Sequence, residues 1–216
     1  MTTERPDRMA KSLEQEFTEP LGSVTVGLLK VVNGASELTL ATEEKDSESL
    51  YHARFSGLVP DVHAAHGVVT LCYPRRLHPL PVRRHSGHLT VNATIPWAVE
   101  IDGGAGRVTA DLSPVVLTRL ELGGGASHAS VVLPRPRGTV RIRIVGGASN
   151  VTLRRPHDVS AQIKITGGAS QLTFDNQHLD AVGGGVQLSS PTFESEENRY
   201  DIEVVGGASS LTVDRS

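Results

Sequence analysis

The chain has 216 residues, only 4% of them aromatic, and a formal net charge of −3. That balance gives no global case for nucleic acid or an anionic membrane surface as a partner, and with Cys72 as its single cysteine the chain can form no internal disulfide. No apolar run approaches the roughly 18 residues a spanning helix needs, and the opening Met1 to Asp7 lacks the apolar core of a secretion signal, so the expectation is a cytoplasmic protein with no integral membrane segment.

In chain order, residues 1–20 are polar and charged, with a short helix expected around Ala10 to Phe17, and they read as a flexible tail or an N-terminal cap. Residues 21–216 read as one β domain. Its less regular first half holds the strand-like runs Ala53 to Phe55, Val68 to Leu71, Leu89 to Val91 and Ile95 to Ile101. Between them, the stretch at about 72–87 carries Pro74, Pro79 and Pro81 with four arginines, Arg75, Arg76, Arg83 and Arg84. It is expected to protrude as a loop, because proline cannot donate to a strand ladder.

From there on a motif recurs: Gly-Gly-Ala-Ser followed by alternating apolar and polar residues. Copies stand at Gly124 to Ser127, Gly146 to Leu153, Gly167 to Phe174 and Gly206 to Val213, with variants at Asn33 to Leu40 and Gly103 to Thr109 and a degenerate one at Gly184 to Val186. The marks Ala105, Ala126, Ala148, Ala169, Val186 and Ala208 repeat at about 21 residues, a period that signals a solenoid. Apolar side chains fall on even numbers in Ile142 and Ile144 but on odd numbers in Val151 and Leu153. A strand alternates faces with period two, so the diglycines are expected to absorb the flip as a bend or an extra residue. The predicted fold is all-β, a single-stranded β-helix of about eight coils.

These corners, together with Trp97 to Gly104, Leu133 to Gly138, Arg154 to Pro156 and the run Arg199 to Val204, resemble the toast-rack superfamily of bacterial β-helices, which includes the C-terminal domains of LiaF-type envelope-stress proteins and adhesin-like domains. The resemblance covers roughly residues 22–216. It implies a protein-interaction or scaffold module in cell-envelope stress regulation, with no enzymatic activity and no cofactor. A bactofilin-like structural polymer and a carbohydrate-active β-helix enzyme are the alternatives.

Candidate sites are few. One is an arginine strip, Arg135, Arg137, Arg154 and Arg155, expected to stack from coil to coil and to repel itself unless an acidic partner or an anion sits on it, the rival being neighbouring carboxylates such as Asp175 or Asp111. A second is the last repeat: with Asp214, Arg215 and Ser216 directly after it, its strands are expected at an uncapped end, so Tyr200, Ile202, Val204, Leu211 and Val213 become candidates for end-to-end pairing with a second copy or a protein partner. Six of the nine histidines, His52, His63, His66, His78, His85 and His88, gather around Cys72, but a spacing of three in a strand puts partners on opposite faces, and no metal site is expected. The serines Ser36, Ser127, Ser149, Ser170 and Ser209 are equivalent copies, unlike the one privileged serine of a nucleophile elbow.

Overall fold

The computed structural model describes residues 14–43, 47–74 and 86–215, all of them strand, turn or loop. The strands are β1 (Glu14–Pro20), β2 (Gly27–Val32), β3 (Ala35–Glu43), β4 (Ser49–Ser56), β5 (Asp61–Ala65), β6 (Val68–Cys72), β7 (Ser86–Asn92), β8 (Pro96–Ile101), β9 (Ala105–Asp111) and β10 (Val116–Leu122). They continue with β11 (Ala126–Val132), β12 (Thr139–Val145), β13 (Ala148–Arg155), β14 (Ser160–Ile165), β15 (Ala169–Phe174), β16 (Gln177–Val182), β17 (Val186–Ser189), β18 (Arg199–Val205) and β19 (Ala208–Arg215). Two mixed sheets result. Sheet A runs β1-β4-β7-β3-β9-β11-β13-β19-β15-β16, and sheet B runs β17-β14-β18-β12-β10-β8-β2-β6-β5.

Strict alternation makes each strand two-faced. In β12, Val140, Ile142 and Ile144 are buried while Thr139 and Arg141 are exposed, and burying a side chain such as Ile142 contributes about 2 kcal/mol. The inner faces of both sheets merge into one apolar core that extends from Leu29 and Val31 to Leu211 and Val213. Aromatic bulk is confined to a few places. Trp97 is buried where the missing side chain of Gly27 leaves room: a Cβ there would lie 2.5 Å from the indole.

The diglycine corners, and Asn33-Gly34 in the first of them, connect a sheet B strand to the sheet A strand that follows it: β2 to β3, β8 to β9, β10 to β11, β12 to β13, β14 to β15 and β18 to β19. Successive corners touch backbone to backbone. A Cβ on Gly34 would sit 2.6 Å from Gly103 O, and Gly34 itself has φ +80°, so both space and conformation demand glycine there. The parity flip, however, lies after the glycines. Ile142, Ile144 and Ala148 all point inward, Ser149 and Asn150 both point outward, and Val151 resumes the inward face. The extra residue is the one after the serine, left-handed at Asn150 (φ 53°), Gln171 (φ 54°) and Ser210 (φ 57°); neighbouring strands carry it at the same level, so their ladders pair residue for residue across it. The expectation that the glycines absorb the flip is thus corrected: they turn the corner, and the Ser-X pair changes which face points inward.

The unit order also differs from expectation. A stack in chain order would place β18 and β19 last, yet β18 lies between β12 and β14, and β19 lies between β13 and β15. At the other side, β2 and β3 are likewise inserted between β6 and β8 and between β7 and β9. The sheets stay open, with β1 and β16 as edges of sheet A and β5 and β17 as edges of sheet B. The degenerate Gly184–Gly185 copy is no further coil: it leads back from β16 to β17, and each of these pairs antiparallel with its neighbour. The all-β class holds; in place of a closed single-stranded β-helix of about eight coils, the strands form two open mixed sheets. The helix expected at Ala10 to Phe17 is corrected over Glu14 to Phe17, which belong to β1 and pair with β4; residues 10–13 lie outside the described residues.

Candidate functional site

Each expected site residue has a definite place. Three of the four arginines of the strip meet carboxylates. Arg135 meets Asp158 at 2.8 Å, Arg154 meets Asp214 at 3.4 Å and Arg155 meets Asp175 at 2.8 Å. The guanidinium of Arg135 holds the Asp158 carboxyl below its ordinary range. Nor do the four stack: Val132 stands beside Arg154 in the ladder, and Leu133 N donates to Arg154 O. Arg137 is exposed. Arg155 is fully buried, its Nε donating to Val159 O and its other nitrogens to Asp214 O, Asp175 and Ser190 Oγ, with the guanidinium 5.6 Å from the centre of the Phe174 ring. Burial pulls its pKa down, and Asp175 acts in the opposite direction.

The residues expected at an open end are interior. Tyr200, Ile202, Val204, Leu211 and Val213 have no exposed surface, because β18 and β19 are flanked on both sides. Tyr200 also donates its hydroxyl to Pro134 O at 2.7 Å. The end-pairing role assigned to these side chains is therefore corrected. His52 faces Glu16, His63 faces Asp61, and Cys72 lies 3.6 Å from Asn33 Nδ2. Among the described residues no three His, Cys, Asp or Glu side chains converge. Arg75, Arg76, Arg83, Arg84, His78 and His85 lie outside the described residues.

The structure brings together two features that the sequence reading left apart. An open groove of about 1530 Å³ runs along the corners, from Tyr73 and Pro74 at one end to Ala181 and Gly183 at the other. The exposed serines Ser36, Ser127, Ser149, Ser209 and Ser170 line it. Tyr73 at its mouth has a phenol pushed up to about 12 by burial. Next to the groove, on the outer face of sheet A, Thr39, Thr109, Ser130, Thr152, Thr212 and Thr173 stand in register on six adjacent strands, one hydroxyl about every 4.8 Å. The signal was present in the sequence as Ser-X-apolar-Thr after four of the six corners, with Gly106 in place of the serine at one and Ser130 in place of the threonine at another. Only the extra left-handed residue puts both hydroxyls on one face.

The outer face of sheet B contrasts with this. Lys30, Glu100, Arg119, Glu121, Arg143 and Glu203 interlock there, with Lys30–Glu100 at 3.3 Å, Arg143–Glu203 at 3.1 Å, Arg143–Glu121 at 3.9 Å and Arg119 directly on Glu100. Those charges satisfy one another. The chemistry offered outward is therefore hydroxyl and backbone on the groove side and a self-neutralised lattice on the other.

No family model and no curated protein matches the chain. A solved structure does. It is that of a Clostridium sporogenes protein provisionally named a cell adhesion protein, similar with a TM-score of 0.76 over 95% of this chain and 100% of its own, at 19% identity. The likeness is one of fold. No helix among the described residues is long and apolar enough to cross a membrane.

Proposed function

We propose that the protein is a non-enzymatic interaction module that engages an extended partner along the corner groove and the adjoining hydroxyl rows of sheet A. The observation that carries this reading is repetition: the same serine recurs at corner after corner. Catalysis needs one group singled out by a base or a perturbed neighbour, whereas a row of equal hydroxyls suits a partner gripped many times. The adhesion role in the neighbour's name supports the same class of function. Kinship with the toast-rack β-helices, and with it a part in envelope-stress regulation, belongs to this proposal.

The test is to replace Ser127, Ser149 and Ser209 with arginine, filling the groove while leaving every buried position alone. The variant is expected to keep its circular dichroism and melting temperature but to lose retention on bacterial cells and isolated envelope fractions that hold the unaltered protein. Equal retention of the two proteins removes the groove from the account. A second reading, end-to-end self-association, is favoured by the open edges at β1, β5, β16 and β17. It passes through those edges and no longer through residues 200–216.

A further inference from the structure

The β18–β19 unit occupies a slot inside the column although it comes after the unit beyond it in the chain. Its two neighbours offer it matching walls. On one side, Val140, Ile142 and Ile144 of β12 stand beside Tyr200, Ile202 and Val204; on the other, Ala161, Ile163 and Ile165 of β14 stand beside the same three residues. In sheet A, Ala148 and Ala169 flank Ala208, Val151 and Leu172 flank Leu211, and Leu153 and Phe174 flank Val213. Between β17 and β18 the chain consists of residues 190–198, which could span about 30 Å when extended.

From this geometry we infer that the β18–β19 unit is exchangeable between two copies of the chain, each inserting it into the other's slot. A withdrawn unit exposes Tyr200, Ile202, Val204, Leu211 and Val213, all fully buried in the closed chain. What covers them equally well is the same slot in another copy. There every ladder of β18 and β19 and every apolar contact of their inward side chains is remade, and what changes is the path of residues 190–198, between Ser190, held by Arg155 and Ala161 N, and Asn198, held by Gly138 N, which is the condition for low-cost domain swapping. An unrelated partner would have to match two strand edges and both registers at once. The exchange occurs while the slot is unfilled, during folding, because opening it afterwards breaks four ladders. The inference is independent of the groove, which keeps its corners in either form.

Arg141 and Asp201 provide the test, since they are ladder partners across β12 and β18 and neither is buried. Neighbouring strands are about 4.8 Å apart, within the Cα separation of about 4.4–6.8 Å that a disulfide needs. In a Cys72→Ser background, one chain carries Arg141→Cys and another carries Asp201→Cys, so no bond can form within either chain. The two are unfolded together, refolded at hundreds of micromolar and mildly oxidised; a parallel sample mixes the chains already folded. Exchange predicts a covalent heterodimer at least tenfold more abundant after joint refolding, surviving as a dimer in gel filtration after dilution. Equal and low yields in both samples, with each chain recovering its native circular dichroism, overturn the inference. Failure of either variant to refold is met by repeating the pair at Thr139 and Arg199, the next outward partners in the same ladder.

Discussion

Arg155 has no exposed surface and divides its donors among Val159, Asp214, Ser190 and Asp175, four points from separate stretches of chain. Removing one member of a buried charge pair leaves the other uncompensated. Asp175 keeps Arg215 at 2.8 Å, so Arg155→Met is expected to cost about 3 kcal/mol, the lower end of the range for such losses. Arg154→Ser, half-exposed against Asp214, should cost under about 1 kcal/mol. Urea unfolding at constant m value checks both. The tyrosines make a pH prediction. Burial raises the pKa of Tyr51 and Tyr200 and pushes that of Tyr73 up to about 12. Each phenol thus favours the folded state only while neutral: its contribution is complete below about pH 10 and is lost as pH rises through the folded values. Absorbance at 295 nm should show tyrosinate appearing together with the loss of native Trp97 fluorescence, rather than stepwise before it. Little of this was legible beforehand. The alternation that puts Val151 and Leu153 inward extends to Arg155, but only the fold shows which groups receive its buried guanidinium.

Strands and corners carry the next prediction. Gln171 and Asn150 sit in left-handed conformations that cost a side-chain-bearing residue about 1 kcal/mol or more. Gln171→Gly should therefore raise the melting temperature slightly, and Gln171→Val should lower it, by about 1–2 kcal/mol of stability, since a branched Cβ fits φ 54° worst. Gly124→Ala should be far more damaging, with its Cβ 2.6 Å from Gly104 N and φ +77°. At this scale the sequence was readable in large part. The alternation in Arg141 to Ile144 and the diglycines identified strands and corners correctly, because local sterics decide them. The left-handed residue was missed for a physical reason: the flip between Ile144 and Val151 spans glycines, serine and asparagine together, and parity alone does not say which of them holds the extra residue. Glu14 to Phe17 read as helix, yet antiparallel pairing with β4 overrides so weak a local preference.

For the molecule as a whole, unit order was invisible in the sequence. Every corner unit presents the same inward pattern at the same register, so Ile142 would sit as well beside Ile163 as beside Ile202, and repeat logic defaults to chain order. The observed order predicts how protection is distributed. Amides of β18 and β19, flanked on both sides, should be among the slowest to exchange hydrogen, and those of the edges β1, β5, β16 and β17 among the fastest. Fast exchange in β18 would contradict the arrangement. The late position of this unit in the chain bears on biosynthesis. A ribosome releases β14 and β15 before the strands that belong beneath them, so for a time the nascent chain holds two complementary edges with nothing between. Whatever closes that gap prematurely must be reversed when residues 199–215 emerge.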